Sequence, residues 1–301
     1  MKVPQKNIIE YYLKFRMQHN MFLLNKSMPI RKQNEIKRYY FKHLKNKEKY
    51  FAYVAMDSEI QSVIIAGKDD ELGEVSIYIE IISEERYINE KMINQEVIKV
   101  IDFYRDKINF NKLIIRGYSS QNKLLNILNQ LEYEFGGHQY FGFVKDALKY
   151  YNSKKISNSE IIYNAKLKDS NNIINLTKIS HAADKTCRLR NFSAKQLKNL
   201  KEMLLKDIKN KSVFLINRQA ELIGFIWLLL VGKNEYLIGS IAVHPEYWGK
   251  GIANILYNHA FNFMKIHGIK KYYGTSSTKS VMNLAEKLNR KIYSSAYSIS
   301  V

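Results

Sequence analysis

The stretch EYLIGSIAVHPEYWGKGIAN, residues 235–254, restricts the fold more than any other part of this chain. EYLIGSIAV is apolar and carries β-branched residues, as a buried strand does. Pro245 cannot donate to a sheet ladder, so the strand has to stop before it. Further on, GIANILYNHAFNFMKIHG sets Ile252, Leu256, Ala260 and Phe263 at helical spacing, and Gly268 is placed to end that helix. The order is therefore strand, short turn, glycine-bearing loop and helix N-terminus. The sequence has only 13 glycines, and two of them, Gly249 and Gly251, stand in this one loop. Glycine costs backbone entropy, so the pair implies unusual dihedrals or a close approach to bare main chain.

The first turn of a helix has N–H groups without intrahelical partners and a partial positive charge, which together attract phosphate. Gly249 and Gly251 would let the backbone lie against a diphosphate. Ala253 keeps that approach open, and Lys250 adds a mobile cation. Two common phosphate loops are excluded. The three Gly-Lys pairs are followed by Asp69, Asn234 and Gly251, so no G-x-x-x-x-G-K-[ST] exists, and Asn254 stands where a G-x-G-x-x-G would need its last glycine.

The same order of elements occurs twice. In the first half YFAYVAM, EIQSVIIAG and EVSIYIEII read as strands, followed by a helix over 88–107, the strand KLIIRGY and the helix NKLLNILNQLEY. In the second, KSVFLINRQ, ELIGFIWLLLVG and EYLIGSIAV are followed by the long helix, the strand KKYYGTS and the helix SVMNLAEKLNR. Tyr87 and Tyr247 occupy corresponding points, which predicts an internal repeat of about 150 residues. YYNSKKISNSE, residues 150–160, has the composition of a linker. The expected domains are thus 1–150 and 151–301, each α/β with a mixed, mostly antiparallel sheet flanked by helices.

Charge separates the halves. Residues 1–150 hold 24 Lys and Arg against 19 Asp and Glu, whereas residues 151–301 hold 24 against 9. The second half should attract anions, whether a nucleotide cofactor, RNA or a membrane surface, unless the lysines simply reflect composition. The single cysteine, Cys187, leaves no internal disulfide and fits a reducing compartment. It pairs with no histidine at a useful spacing, and neither a zinc cluster nor H-E-x-x-H is present. The longest apolar run, Leu222 to Val231, is about half of what a membrane helix needs. A cytoplasmic protein that does not span a membrane is expected.

The second half resembles the GNAT superfamily of N-acetyltransferases, which bind acetyl-coenzyme A. The family's strand ends V-x-P and is followed by [RQ]-x-x-G-x-[GA]; here these positions read Val243-His244-Pro245 and Trp248-Gly249-Lys250-Gly251-Ile252-Ala253. A downstream helix end matches Leu284-Ala285-Glu286-Lys287-Leu288-Asn289-Arg290. The resemblance implies a strand that splays from its parallel neighbour, with the pantetheine arm against the backbone of Ile241, Ala242 and Val243. The amides of residues 249–253 would hold the diphosphate. It further implies acetyl transfer to a primary amine on a small molecule or peptide. The first half joins the resemblance through its order of elements, as a degenerate copy that is structural or shapes the acceptor site.

Three features depart from the family. Trp248 replaces its Arg or Gln; the indole either covers the adenine or pantetheine or anchors the loop on the core. Ala285 stands where many members have the tyrosine that protonates the leaving thiolate, with Tyr272 and Tyr293 nearby as sheet aromatics. The family's usual base positions are Gly239 and Leu237, so Glu235 is the candidate base through one water, or else a solvated strand-end carboxylate. In the first half Glu84, Glu85 and Glu90 occupy the loop region where a diphosphate would sit. Two other functions fit the chain: an aminoacyl-tRNA-dependent transferase, and a coenzyme-A-binding protein without catalysis.

Overall fold

The computed structural model describes residues 5–24, 30–44, 48–56, 59–69, 75–131, 133–153, 161–184, 192–232, 235–276 and 278–301. Cys187 and most of the expected linker, 154–160, lie outside them. The chain packs into two compact units, one made of 1–137 with 293–301 and the other of 138–292. Among the described residues no helix is long and apolar enough to cross a membrane.

In the first unit α1 (Gln5–Leu24) and α2 (Ile30–Leu44) precede β1 (Tyr50–Met56), β2 (Glu59–Asp69) and β3 (Ser76–Ser83). Then come α3 (Glu90–Arg105), β4 (Lys112–Tyr118) and α4 (Asn122–Gln130). β1, β2 and β3 pair antiparallel in turn, β3 lies parallel to β4, and β4 is antiparallel to β11 (Lys291–Ser300). Alternation along the strands separates two cores. Ile77, Ile79 and Ile81 with Leu113 and Ile115 meet Val97, Val100 and Leu124 of α3 and α4. On the opposite face Ile8 and Tyr12 of α1 pack on Val63, Ile65 and Ile82.

Polar groups are buried under α1 as well. Arg16 lies 3.7 Å from Glu80 and donates to the hydroxyls of Tyr118 (2.5 Å) and Tyr293. Tyr118 in turn donates to Glu80. The nearby His19 Nδ1 is 2.7 Å from Ser120 Oγ. Burial first, and then the Arg16 charge, lower the His19 pKa from 6.5 to about 4, so the imidazole is neutral near pH 7.

In the second unit the end of β5 (Glu134–Phe143) leads into α5 (Val144–Asn152), β6 (Ile162–Asn164), α6 (Ser170–Ala183) and α7 (Ala194–Lys209). β7 (Val213–Arg218), β8 (Glu221–Gly232), β9 (Glu235–Val243), α8 (Ile252–Ile266), β10 (Lys271–Ser276) and α9 (Lys279–Lys287) complete it. β6 to β9 pair antiparallel in turn, β9 is parallel to β10, and β10 is antiparallel to residues 138–143 of β5. α8 and α5 share one core: Ile252, Leu256, Ala260 and Phe261 with Val144, Ala147 and Tyr151. α6 and α7 cover the other face through Ile173, Leu176 and Leu204.

Both units thus carry the expected mixed, mostly antiparallel sheet flanked by helices, and the predicted strands and helices appear in order. The strand that follows α4 continues beside β10, while the strand that follows α9 lies beside β4. Each unit is completed by a strand from the other half of the sequence.

Candidate active site

β9 pairs with β10 from Glu235–Lys271 to Ile238–Gly274, and there the pairing stops. At the same point the register against β8 slips, Trp227 facing Ser240 and Leu228 facing Ile238, so Gly239 is an extra residue on β9. A bulge bends and twists its strand. Here it turns residues 239–243 away from β10 and opens the sheet. The His244 N–H donates to Ile223 O at 2.9 Å, on the β8 side. Backbone groups alternate sides along a strand, so those of Ile241 and Val243 face the opening.

The opening runs into the glycine loop. Gly249 has φ +76° and Gly251 φ +82°, and a Cβ on either would meet nothing within 4 Å. The glycines therefore serve a left-handed backbone and leave open space in front of it. No side chain caps α8 at Gly251, so its first-turn N–H groups face that space. An open cleft of 510 Å³ is lined by Ile241, Val243, Tyr247, Trp248, Gly249, Gly251, Ile252, Ala253 and Asn254. Ser180 and Asp184 from the end of α6, and Ser280 from α9, complete its walls. The Ala242 side chain points the other way, into the α6–α7 core.

Trp248 is 44% exposed and lines the cleft, so it does not anchor the loop on the core. Its Nε1–H donates to Val243 O at 2.7 Å, on the open side of β9. One of the two backbone groups expected to meet a ligand is already engaged by the loop that follows it. Lys250 is exposed, with Nζ 5.0 Å from the centre of the Tyr247 ring.

Glu235 is not brought to the site. It opens β9, six residues before Ile241, or about 20 Å at the rise of a strand. Its carboxylate meets the Tyr273 hydroxyl at 3.4 Å instead. A single water cannot span that separation, and Glu235 is a half-buried carboxylate at the far end of the strand. Ala285 is fully buried and offers only a methyl group. Tyr272 is buried and accepts from Arg290 Nε at 3.1 Å, and Tyr293 belongs to the first unit, so neither hydroxyl lines the cleft. Ser180, Asp184 and Ser280 escaped the sequence reading. They reach the cleft through the packing of α6 and the placement of α9, and neither leaves a periodicity that marks those particular residues.

The corresponding place in the first unit is closed. β3 and β4 pair as far as Glu80–Arg116. Beyond that, buried Gln121 donates to Ile81 O at 2.9 Å and accepts from Tyr118 N–H at 3.1 Å. α3 is capped by Asn89, whose Oδ1 accepts from Met92 N–H at 2.9 Å. Of the loop carboxylates, Glu84 pairs with Arg86 at 3.0 Å and Glu85 accepts from Lys123 N–H at 3.1 Å.

Residues 181–289 match the model of the acetyltransferase (GNAT) family. The structure is similar to a GCN5-related N-acetyltransferase from Sphaerobacter thermophilus, with TM-score 0.68 and 12% identity over 99% of this chain and 94% of that one. It is also similar to a tandem GNAT protein from the clavulanic acid biosynthesis pathway, with TM-score 0.54 and 7% identity over 100% and 97% of the two chains. A functionally unknown conserved protein from Staphylococcus epidermidis gives TM-score 0.50 and 11% identity over 83% and 93%. No curated protein matches the sequence. At such identities the likeness is one of fold. The split strands and the glycine loop lie within the matched segment, so residues 181–289 resemble the acetyltransferase (GNAT) family, in a chain whose fold is similar over its length to that of a tandem GNAT protein.

Proposed function

We propose that the chain transfers an acyl group, acetyl foremost, from acetyl-coenzyme A to a primary amine of a small molecule or peptide. One observation carries this reading: the gap between β9 and β10 runs directly into the uncapped, glycine-bearing start of α8. That continuity suits a ligand with an extended amide arm at one end and a diphosphate at the other. The N–H groups of residues 249–253 would hold the diphosphate. The Ile241 N–H would polarise the thioester carbonyl, a fixed donor aimed at developing charge. Positioning supplies most of the rate, since the amine has only to meet that carbonyl in a fixed geometry.

Asp184 is the one carboxylate among the described residues that line the cleft. In this reading it takes the proton of the attacking amine. A general base contributes about 10²- to 10⁴-fold, so Asp184→Asn should lower kcat/KM at least ~10-fold while coenzyme A affinity stays unchanged. The amine attacks in its neutral form, and the rate should rise with pH up to the amine's own pKa. A flat profile from about pH 6 to about pH 9, with chemistry rate-limiting, would argue against an amine acceptor.

The first unit is proposed not to bind coenzyme A, because Gln121 and Asn89 fill the positions a ligand would use. Calorimetric titration of the full chain should therefore give one site, removed by Gly249→Val with Gly251→Val in a folded protein. Two sites, or unchanged binding in that variant, would overturn the assignment. The buried methyl of Ala285 favours one second reading, a coenzyme-A-binding protein without turnover. It predicts cofactor binding with no thiol release on any amine panel.

A further inference from the structure

The second unit buries a cation that has no carboxylate beside it. Arg290 follows α9 and is only 8% exposed. Its Cζ lies 5.0 Å from the centre of the Tyr272 ring on β10 and 5.5 Å from that of Tyr257 on α8. Nε donates to the Tyr272 hydroxyl at 3.1 Å, whereas the buried Nη2 meets no acceptor. Tyr151 of α5 shares a core cluster with Tyr257 and Tyr272, and its buried hydroxyl is equally without a partner. That hydroxyl is close enough to feel the Arg290 charge and the Tyr257 and Tyr272 phenols. Among the described residues no carboxylate forms an ion pair with Arg290. The carbonyls of Leu284, Ala285 and Glu286 at the end of α9 are engaged as well, accepting from the N–H groups of Leu288, Arg290 and Asn289.

Arginine has only donors, and a phenol whose oxygen accepts a bond turns its own proton elsewhere. The cluster therefore gathers N–H and O–H donors around a permanent charge and supplies no anionic acceptor. Burying an unpaired charge or donor is unfavourable, and the faces of two tyrosine rings offset only part of that cost. We infer that Arg290 and Tyr151, with the hydroxyls of Tyr257 and Tyr272 around them, bind a small monovalent anion, chloride in a saline medium. A halide accepts from several donors at once and brings a negative charge, which a water molecule does not. The four side chains come from α5, α8, β10 and the chain after α9, so the anion fastens these elements to one another. The site lies within residues 138–292 and does not depend on what the cleft binds.

The test is thermal unfolding of the full chain in sodium chloride and in sodium gluconate at equal ionic strength, with crystals soaked in sodium bromide to locate the ion. The wild-type midpoint should be higher in chloride by about 2 °C or more, and the rise should saturate with concentration. Tyr151→Phe keeps the ring and removes the hydroxyl. It should lose at least half of the chloride response and, in gluconate, match or exceed the wild type, because an unpartnered donor has gone. Arg290→Met should lose the response altogether. Surface lysines answer to salt alike in all three proteins, so the differences between them report the buried site. Anomalous scattering should place bromide within hydrogen-bonding reach of Arg290 Nη2 and the Tyr151 hydroxyl. A wild-type midpoint indifferent to chloride, a full response in Tyr151→Phe, or only a water at that position would each overturn the anion site. Should Arg290→Met fail to fold, Tyr151→Phe and the bromide map still decide.

Discussion

Gly251 shows how much one residue can determine. At φ +82° with open space before it, the position tolerates a side chain sterically but not conformationally. Gly251→Ala should cost about 1 kcal/mol in denaturant unfolding and weaken coenzyme A binding, whereas Ala253→Ser, inside α8, should do far less to the backbone. Trp248 offers a second measurement. Its indole holds Val243 O, so a ligand that pairs with this carbonyl has to displace it, and the Trp248 fluorescence should shift on saturation with coenzyme A. His19 bears on stability. Its folded pKa of about 4 lies below the ordinary 6.5. Between those values the unfolded chain binds a proton that the folded chain does not. His19 therefore favours the fold fully above pH 6.5 and loses that contribution as the pH falls towards 4, by up to about 3 kcal/mol at ~1.4 kcal/mol per pKa unit. Urea midpoints measured from about pH 7 to about pH 4 should fall less steeply for His19→Gln than for the wild type.

At the scale of elements, the two helices that follow the parallel-pair strands differ in one respect that matters chemically. α3 begins under its own Asn89 cap, and α8 begins bare at Gly251. Asn89→Ala should cost about 1 kcal/mol of thermal or urea stability, because Met92 N–H loses its acceptor. The sequence allowed both helices and their preceding strands to be read, since period and punctuation are local signals: β8 and β9 were bounded to the residue by Gly232 and Pro245. The glycine loop was equally legible. The bulge at Gly239 was not, because it depends on the register that β9 takes against β8. Without that register, counting residues back along β9 put Glu235 within reach of the chemistry, although the strand carries it to the far end. Gln121 was hidden for a related reason: a polar residue before a helix looks like an ordinary cap until Ile81 O is seen beside it.

For the whole molecule, the division of the chain departs from its apparent halves. Most of α5 lies before the expected boundary at 150/151, yet Val144, Ala147, Leu148 and Tyr151 belong to the core around α8. A fragment of 151–301 would lack most of that helix and the strand beside β10, so it should be insoluble or bind coenzyme A weakly. Sedimentation and titration of the fragment against the full chain would check this. Nothing local in β5 or β11 reveals the arrangement, because each is a strand that completes a sheet and either would satisfy the pattern of the other half. The placement of residues 293–301 beside β4 also bears on synthesis. The first unit emerges early from the ribosome yet lacks an edge until the last of these residues has left the exit tunnel. Until then β4 keeps an unpaired edge, and a nascent chain stalled before residue 293 should be cut by protease near β4 faster than the full chain.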